Sequence, residues 1–300
     1  MAINVAALYD FTRPGLRGIE GKYKQIPTQW SQYMDRGTSR MGVERTAEAR
    51  YLGLPALRTE GGATQFDNQA GERFIYNHEH FEVALGYAIT LKAIEDNLYE
   101  QEFPASNLGL QTSFAQAKEI FCANVLNTGF TYNQNIGGDG VALFATNHPV
   151  DGGTWANLPI GAQLDLNEGT LLTALTQIRV NFRDQAGLKA LSRGEQLLVP
   201  PALQWVGKRL IEAERRPGTA DNDPNVIEMP KGMLVLDFLT SAFAWFVRTN
   251  VPGFLYLERA PFEMSMDVDF VTDNLLVKGR ERYYSGYRNP RGGWATNPVS

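Results

Sequence analysis

Residues 104–130 read PASNLGLQTSFAQAKEIFCANVLNTGF, and this stretch decides how the rest of the chain is organised. Leu110, Phe114, Ala117, Phe121 and Val125 recur at helical spacing and line one face. Ser106 or Asn107 offers a short side chain that caps an orphan backbone N–H at the start. Gly129 stands where a left-handed residue ends a helix. At 1.5 Å per residue, about 22 residues span roughly 33 Å. That is long for a globular helix, so the stretch predicts a strut running the length of a domain.

Composition bounds the classes that remain. The 300 residues suffice for one large or two ordinary domains, and 43% hydrophobic with 20% charged residues is ordinary for a folded chain. A net charge of −5 gives no global attraction to nucleic acid or to an anionic membrane. No apolar run approaches the ~20 residues of a membrane span. The N-terminus has no basic region before Ile3–Tyr9, which excludes a secretory signal. The single cysteine, Cys122, cannot form an internal disulfide and sits on the strut as a core thiol. A cytoplasmic folding compartment fits this cysteine usage.

On either side of the strut the texture changes. Residues 1–45 are rich in Gly, Arg, Thr and Pro and read as an extended arm with few apolar anchors. Residues 46–90 read as a long β-hairpin, with Tyr51–Thr59 going out, turn chemistry at Gly61-Gly62 and 68–71, and a return in which Phe81, Val83, Leu85, Tyr87 and Ile89 alternate with smaller or polar residues. A projecting hairpin is marginal in water and needs a partner. Thr90 caps a short helix that Pro104 stops. After the strut come Gly137-Gly138-Asp139-Gly140 and a loop-rich passage with a short strand at Val141–Ala145.

Residues 166–249 alternate helices (Asn167–Gln185, and one marked by Leu203, Val206 and Leu210) with strands (Gln196–Pro200, Met233–Leu239, Phe243–Arg248), which predicts an inserted α/β unit. From Phe254 the strand pattern returns, and Phe262, Met264, Met266, Val268 and Phe270 alternate with Glu263, Ser265, Asp267 and Asp269.

Motifs for chemistry are weak throughout. Gly138-Asp139-Gly140 lacks the third glycine of a dinucleotide loop, and neither a phosphate-binding Gly-Lys-Ser/Thr nor a Gly-x-Ser-x-Gly elbow occurs. His78 and His80 with His148 form a metal set only if the fold adds oxygen or sulfur ligands. Asp221-Asn222-Asp223-Pro224-Asn225 with Glu228 lacks the spacing of a cation loop and reads as solvated. Glu263, Asp267 and Asp269 are explained as the wet face of a strand. The tail carries Lys278, Arg280, Arg282, Arg288 and Arg291 among Tyr283, Tyr284, Tyr287 and Trp294, a composition shared by nucleic-acid stacking platforms and protein interfaces. The acidic balance of the whole chain favours the interface.

In this order, the runs FEVALGYAITLKAIEDNLY (81–99), the strut ending NVLNTGF, LFATNHPVDGGTWANLP (143–159), LLVPPAL (197–203) and RERYYSGYRNPRGGW (280–294) resemble the major capsid proteins of tailed bacteriophages, of the Mu-type head-subunit group. The resemblance spans roughly residues 40–294. It implies an α+β Hong-Kong-97-type fold with a spine helix at about 107–128. Residues 1–45 would be the N-terminal arm and 46–82 the extended loop over a neighbour. Residues 83–165 with 250–300 would be the peripheral domain, and 166–249 the axial domain around five- and six-fold axes.

The implied function is self-assembly, as pentamers and hexamers, into an icosahedral shell around packaged double-stranded DNA bound without sequence specificity. The setting is the virion capsid, assembled in the bacterial host cytoplasm with a portal. Enzyme activity, cofactor, metal and membrane have no part in it. Some relatives weld their shells through a lysine on the extended loop, yet no lysine lies between Lys24 and Lys92 here, so a non-covalent shell is expected. The N-terminus lacks the heptads of a fused scaffolding segment, which implies a separate scaffolding protein or a segment removed earlier.

Arg58, Glu60 and Arg73 near the hairpin tip, with Arg288 and Arg291 of the tail, are the inter-subunit contact candidates. Two alternatives share parts of this reading: an encapsulin-like nanocompartment shell, and a cytoplasmic enzyme built around His148 and the Gly-rich loops.

Overall fold

The computed structural model describes residues 28–95, 99–215 and 224–298. In chain order the strands β1 (Asp35–Thr38), β2 (Val43–Arg50), β3 (Gly71–Glu79) and β4 (Phe81–Ile89) precede the helices α1 (Leu91–Glu95) and α2 (Tyr99–Asn127). There follow β5 (His148–Val150), β6 (Gly153–Trp155), α3 (Glu168–Asn181), β7 (Gly194–Val199), α4 (Gln204–Glu212), β8 (Met233–Val235) and β9 (Trp245–Thr249). The long strands β10 (Phe254–Val268) and β11 (Leu275–Tyr287) and the short β12 (Gly293–Thr296) end the chain.

The strut is α2. It holds 29 residues, which at 1.5 Å each is about 44 Å. It starts earlier than the sequence predicts, with Pro104 inside it rather than before it. Asn107 is no cap: it is buried within the helix and its Oδ1 accepts from the Tyr87 hydroxyl at 2.7 Å. The buried stripe is Asn107, Leu110, Gln111, Phe114, Ala115, Lys118, Glu119 and Cys122, continuing to Leu126. Ala117 is half-buried and Phe121 is 38% exposed, so the stripe is rotated from the predicted one. Apolar spacing misplaces it because polar residues occupy part of the seam, Asn107 and Lys118 with partners in the sheet and Glu119 with the N–H groups of Gln29 and Trp30. Cys122 is buried, as the core reading requires, and burial raises its thiol pKa. Gly129 does not adopt the left-handed conformation; a Cβ there would lie 2.7 Å from the Phe144 ring, so close approach is what requires glycine.

The helix lies on a four-stranded sheet ordered β1-β10-β11-β4. Phe114 meets Phe262 edge-on with centroids 4.9 Å apart, and Lys118 Nζ lies 2.8 Å from Glu281 Oε2 of β11. The register of β10 on β11 shifts around Pro261, which has no N–H to give the ladder. The strand Phe81–Ile89 is not the return of the hairpin. It pairs with β11, while β2 and β3 form the hairpin and 51–59 is irregular. Period-2 alternation identifies a half-buried strand but carries no information about its partner.

The arm reading does not hold for residues 28–38. Trp30, Tyr33 and Met34 are buried in the chain's own core, Trp30 packs 4.2 Å from Tyr256, and β1 pairs in parallel with β10. Glu119 of α2 accepts from the N–H groups of Gln29 and Trp30 at 2.6 and 3.0 Å. Residues 1–27 lie outside the described residues.

A second four-stranded sheet, β12-β9-β7-β8, carries α3 and α4. Asn167 caps α3 through Thr170 in a reciprocal pair, and the helix ends at Asn181, short of Gln185. The α/β unit is therefore not closed within 166–249: its edge strand is β12, and Trp294 packs on Trp245 at 5.1 Å. Val141–Ala145 forms no strand, yet Leu143 and Phe144 fill the core between the two sheets' ends. Asp221–Asp223 lie outside the described residues.

Phe114→Ala is expected to cost about 3–5 kcal/mol by urea unfolding, whereas Phe121→Ala, half out of the seam, costs about 1 kcal/mol. Lys118→Met, which strips a buried Glu281 of its lysine, is expected to cost about 3–5 kcal/mol in the same measurement.

Candidate functional site

The hairpin β2–β3 ends in a loop, 51–70, that is exposed almost throughout, and its root is where charge concentrates. The root begins at Tyr76, buried and edge-on to Tyr287 at 6.0 Å. Gly138 (φ +87°) donates its N–H to Ile75 O at 2.9 Å, and a Cβ on it would strike the Tyr76 ring at 2.2 Å. The Gly-rich loop thus serves as a seat for the hairpin rather than a phosphate cradle.

Further out, charges replace apolar packing. Asp151, in the turn between β5 and β6, pairs with Arg50 of β2 and, at 2.5 Å, with Arg73 of β3. Arg73 also donates to Gln185 O at 3.0 Å. One carboxylate therefore holds both strands where the loop leaves them. The Arg50 hydrogen bond, with help from Arg73, holds the Asp151 carboxyl below its usual range. Asp67 closes the loop base by accepting from Gly53 N at 2.8 Å and Gln69 N at 2.9 Å, and it meets Arg50 at 3.2 Å. Those backbone bonds, Gln69's first, lower its pKa.

Glu48 of β2 pairs with Arg291, whose Nε donates to Arg183 O and whose guanidinium lies 5.0 Å over Trp155. Trp155 stacks on His148 at 4.6 Å.

The predicted contact residues divide accordingly. Arg291 is buried inside the chain and Arg73 is occupied at the root. Arg288 lies 3.5 Å from Asp35, which also pairs with Arg248 at 3.0 Å. Arg58 donates to Gly62 O at 2.6 Å, and Glu60 is exposed beside it. The tail is no stacking platform: Tyr283, Tyr284, Tyr287 and Trp294 are all buried. Glu48, Arg50, Asp67 and Asp151 are absent from the sequence-based candidates. Asp151 stands in a Val-Asp-Gly-Gly turn, where aspartate is ordinary, so its ion pairs leave no local signal.

The histidines do not converge. His78 Nε2 lies 2.8 Å from Thr46 Oγ1, and His80 Nδ1 lies 3.1 Å from Gly42 O. His148 is buried, with Nδ1 2.6 Å from Asp139 and Nε2 3.1 Å from Asn157, so neither nitrogen faces a substrate. Among the described residues no group of three or more His, Cys, Asp or Glu is placed to hold a metal ion. Among the described residues no helix is long and apolar enough to cross a membrane. Glu263 pairs with Arg280 at 3.1 Å, and Asp269 caps the turn after β10 through Val271 N and Thr272, which lowers its pKa.

Beyond the root, no described residue covers the apolar side chains of the loop. Leu54 and Phe66 are 80% and 81% exposed, and Leu57 is fully exposed.

A long helix on a long-stranded sheet, a compact second sheet and a braced hairpin carrying an uncovered apolar loop define a subunit built for a shell. A family model described as phage capsid protein matches residues 83–296, more than half of the chain, and the chain belongs to that family. It is a major capsid protein with the α+β Hong-Kong-97-type fold.

Its structure is similar to the capsid of a native GTA particle, at 12% identity over 91% of this chain and 90% of that one, with a TM-score of 0.60. It is similar to Mycobacterium phage Che8, at 13% identity over 90% and 91%, with a TM-score of 0.57. It is similar to a virus-like particle from Pyrococcus furiosus, at 10% identity over 94% and 97%, with a TM-score of 0.54. No curated protein sequence matches the chain.

Two outcomes test the root. Within the hairpin, trypsin is expected to cut the native chain first after Arg58, read by mass spectrometry; Asp151→Ala is expected to add early cuts after Arg50 and Arg73. Burial, aided by Arg288 and His80 and opposed by Glu44, lowers the pKa of His78 to about 4. The unfolded imidazole takes its proton near pH ~6.5, while the folded one resists until about 4. Stability is therefore expected to fall as pH drops through that window, and His78→Gln is expected to flatten the urea midpoint against pH there.

Proposed function

We propose that copies of this capsid protein close, as pentamers and hexamers, into an icosahedral shell around packaged double-stranded DNA. The observation that carries the reading is the braced hairpin with an apolar loop that the described residues of its own body leave uncovered. Each subunit would grip several neighbours at once through loop, sheet tips and axial surface, so removing one requires breaking all contacts together. The role is structural rather than catalytic. We assign the chain to the Mu-type head-subunit group on the ordered motif runs. Residues 43–82 form the extended loop, 83–165 with 250–292 the peripheral domain, and 166–249 with β12 the axial domain. Arg58 and Glu60 remain the contact candidates at the loop tip, with Arg288 beside the body.

Assembly would take place in the host cytoplasm, with a separate scaffolding protein and a portal. The acidic balance suits a container, because walls that bound DNA tightly would hold its contents in place. A cargo-filled nanocompartment uses a shell too, and what purified particles contain separates the two: DNA supports the phage head, a protein cargo overturns it.

Purified chain is expected to give closed particles by electron microscopy; a small soluble oligomer under all assembly conditions would count against the shell. With no lysine from 25 to 91, boiling those particles in detergent is expected to release a single monomer band.

A further inference from the structure

The sheet β1-β10-β11-β4 ends in β4, whose only sheet partner among the described residues is β11. Edge strands of natural sheets are usually blunted by lysine, proline or a bulge. The Phe81–Leu85 half of β4 has none of these: it carries one charge, Glu82, and its register on β11 is unbroken from Tyr283 to Gly279. Leu85 and Ala84 are exposed along it. Elsewhere in the same chain, residues 51–57 lie in neither helix nor strand and expose Tyr51, Leu52, Leu54 and Leu57.

We propose that the Phe81–Leu85 edge of β4 accepts residues 51–57 of a second copy of this chain as an added strand. The proposal rests on the shell reading and names its joint.

Reach decides that the donor is another copy. β3 and β4 run on in one line beside β11, since Tyr76 meets Tyr287, His78 meets Tyr284, Phe81 pairs with Tyr283 and Ile89 with Leu275. Arg50 pairs with Gly71 at the far end of that line. Ten strand residues, about 33 Å, separate Gly71 from Phe81. Leu57 extends at most about 25 Å from Arg50, and Leu54 about 14 Å, so neither reaches its own β4.

Pro55 sets the side that pairs. It has no N–H, and alternate residues of a strand turn their backbone groups to opposite edges. Leu52, Leu54 and Ala56 therefore face β4 with their backbone, and Pro55 faces away as the new edge. Donor and acceptor are different patches of one chain, so the contact is head-to-tail and runs on around a ring.

Two measurements test this. In particles of the unmodified chain, amide exchange over 81–85 and 51–57 is expected to slow by at least about tenfold relative to unassembled subunits. Double variants carrying Leu52→Cys or Leu54→Cys with Ala84→Cys are expected to give an oxidation ladder of linked chains in particles and none before assembly. The native Cys122 is buried and stays silent. Protection of 81–85 already complete in unassembled subunits overturns the proposal, because the chain's own residues would then cover the edge. Particles in which 81–85 stay unprotected also overturn it, as does protection of 81–85 without 51–57, which would mark another donor. If the unmodified chain makes no particles, it is the shell reading that fails.

Discussion

The contact between Lys118 of α2 and Glu281 of β11, at 2.8 Å and almost out of water, sets where the long helix sits on the long sheet. Apolar packing alone would let a helix slide by a turn along such a surface. A buried charge tolerates no such slide, because either partner left alone in the interior is strongly destabilising. Around that fixed point, Phe114 finds Phe262, and Glu119 receives the two N–H groups of residues 29 and 30. The segment before β1 is thereby tied to the helix, and β1 can add to the sheet beside β10.

The hairpin obeys a different physics. Its lower half is anchored by Tyr76 and His78 in the core, its upper half by ion pairs to Asp151 and Arg291. Charged tethers suit a part that must leave the body, since they hold direction without requiring an apolar surface to continue beneath it. Among the described residues, nothing covers the apolar side chains of the loop beyond them. A lone protein gains nothing from that arrangement; a subunit among copies does. The same logic makes an unblunted edge strand acceptable, because assembly supplies what the monomer lacks.

The helices and strands were largely legible, because their hydrophobic periods are local properties. The alternation from Phe81 to Ile89 marks a strand correctly, and Asn167 with Thr170 announces a helix start. Partners were not legible. That strand joins β11, nearly two hundred residues later, rather than the hairpin next to it, and the last strand completes the sheet of the α/β unit. The tail shows the same limit. Arginine among tyrosines looks like a surface for binding, yet Tyr283, Tyr284 and Tyr287 are interior and Arg291 serves Glu48.

By itself the sequence determined the elements, the long helix, the core thiol at Cys122, the lack of a loop lysine and, through the order of its motifs, the kind of protein. Tertiary structure alone decided the rotation of the helix seam, the burial of Trp30, Tyr33 and Met34 and the ion pairs that hold the hairpin. The reason is physical. Periodicity reports how a residue relates to its neighbours in the chain. Ion pairs, edge strands and buried polar seams depend on groups brought from far along it, and no local pattern records their arrival.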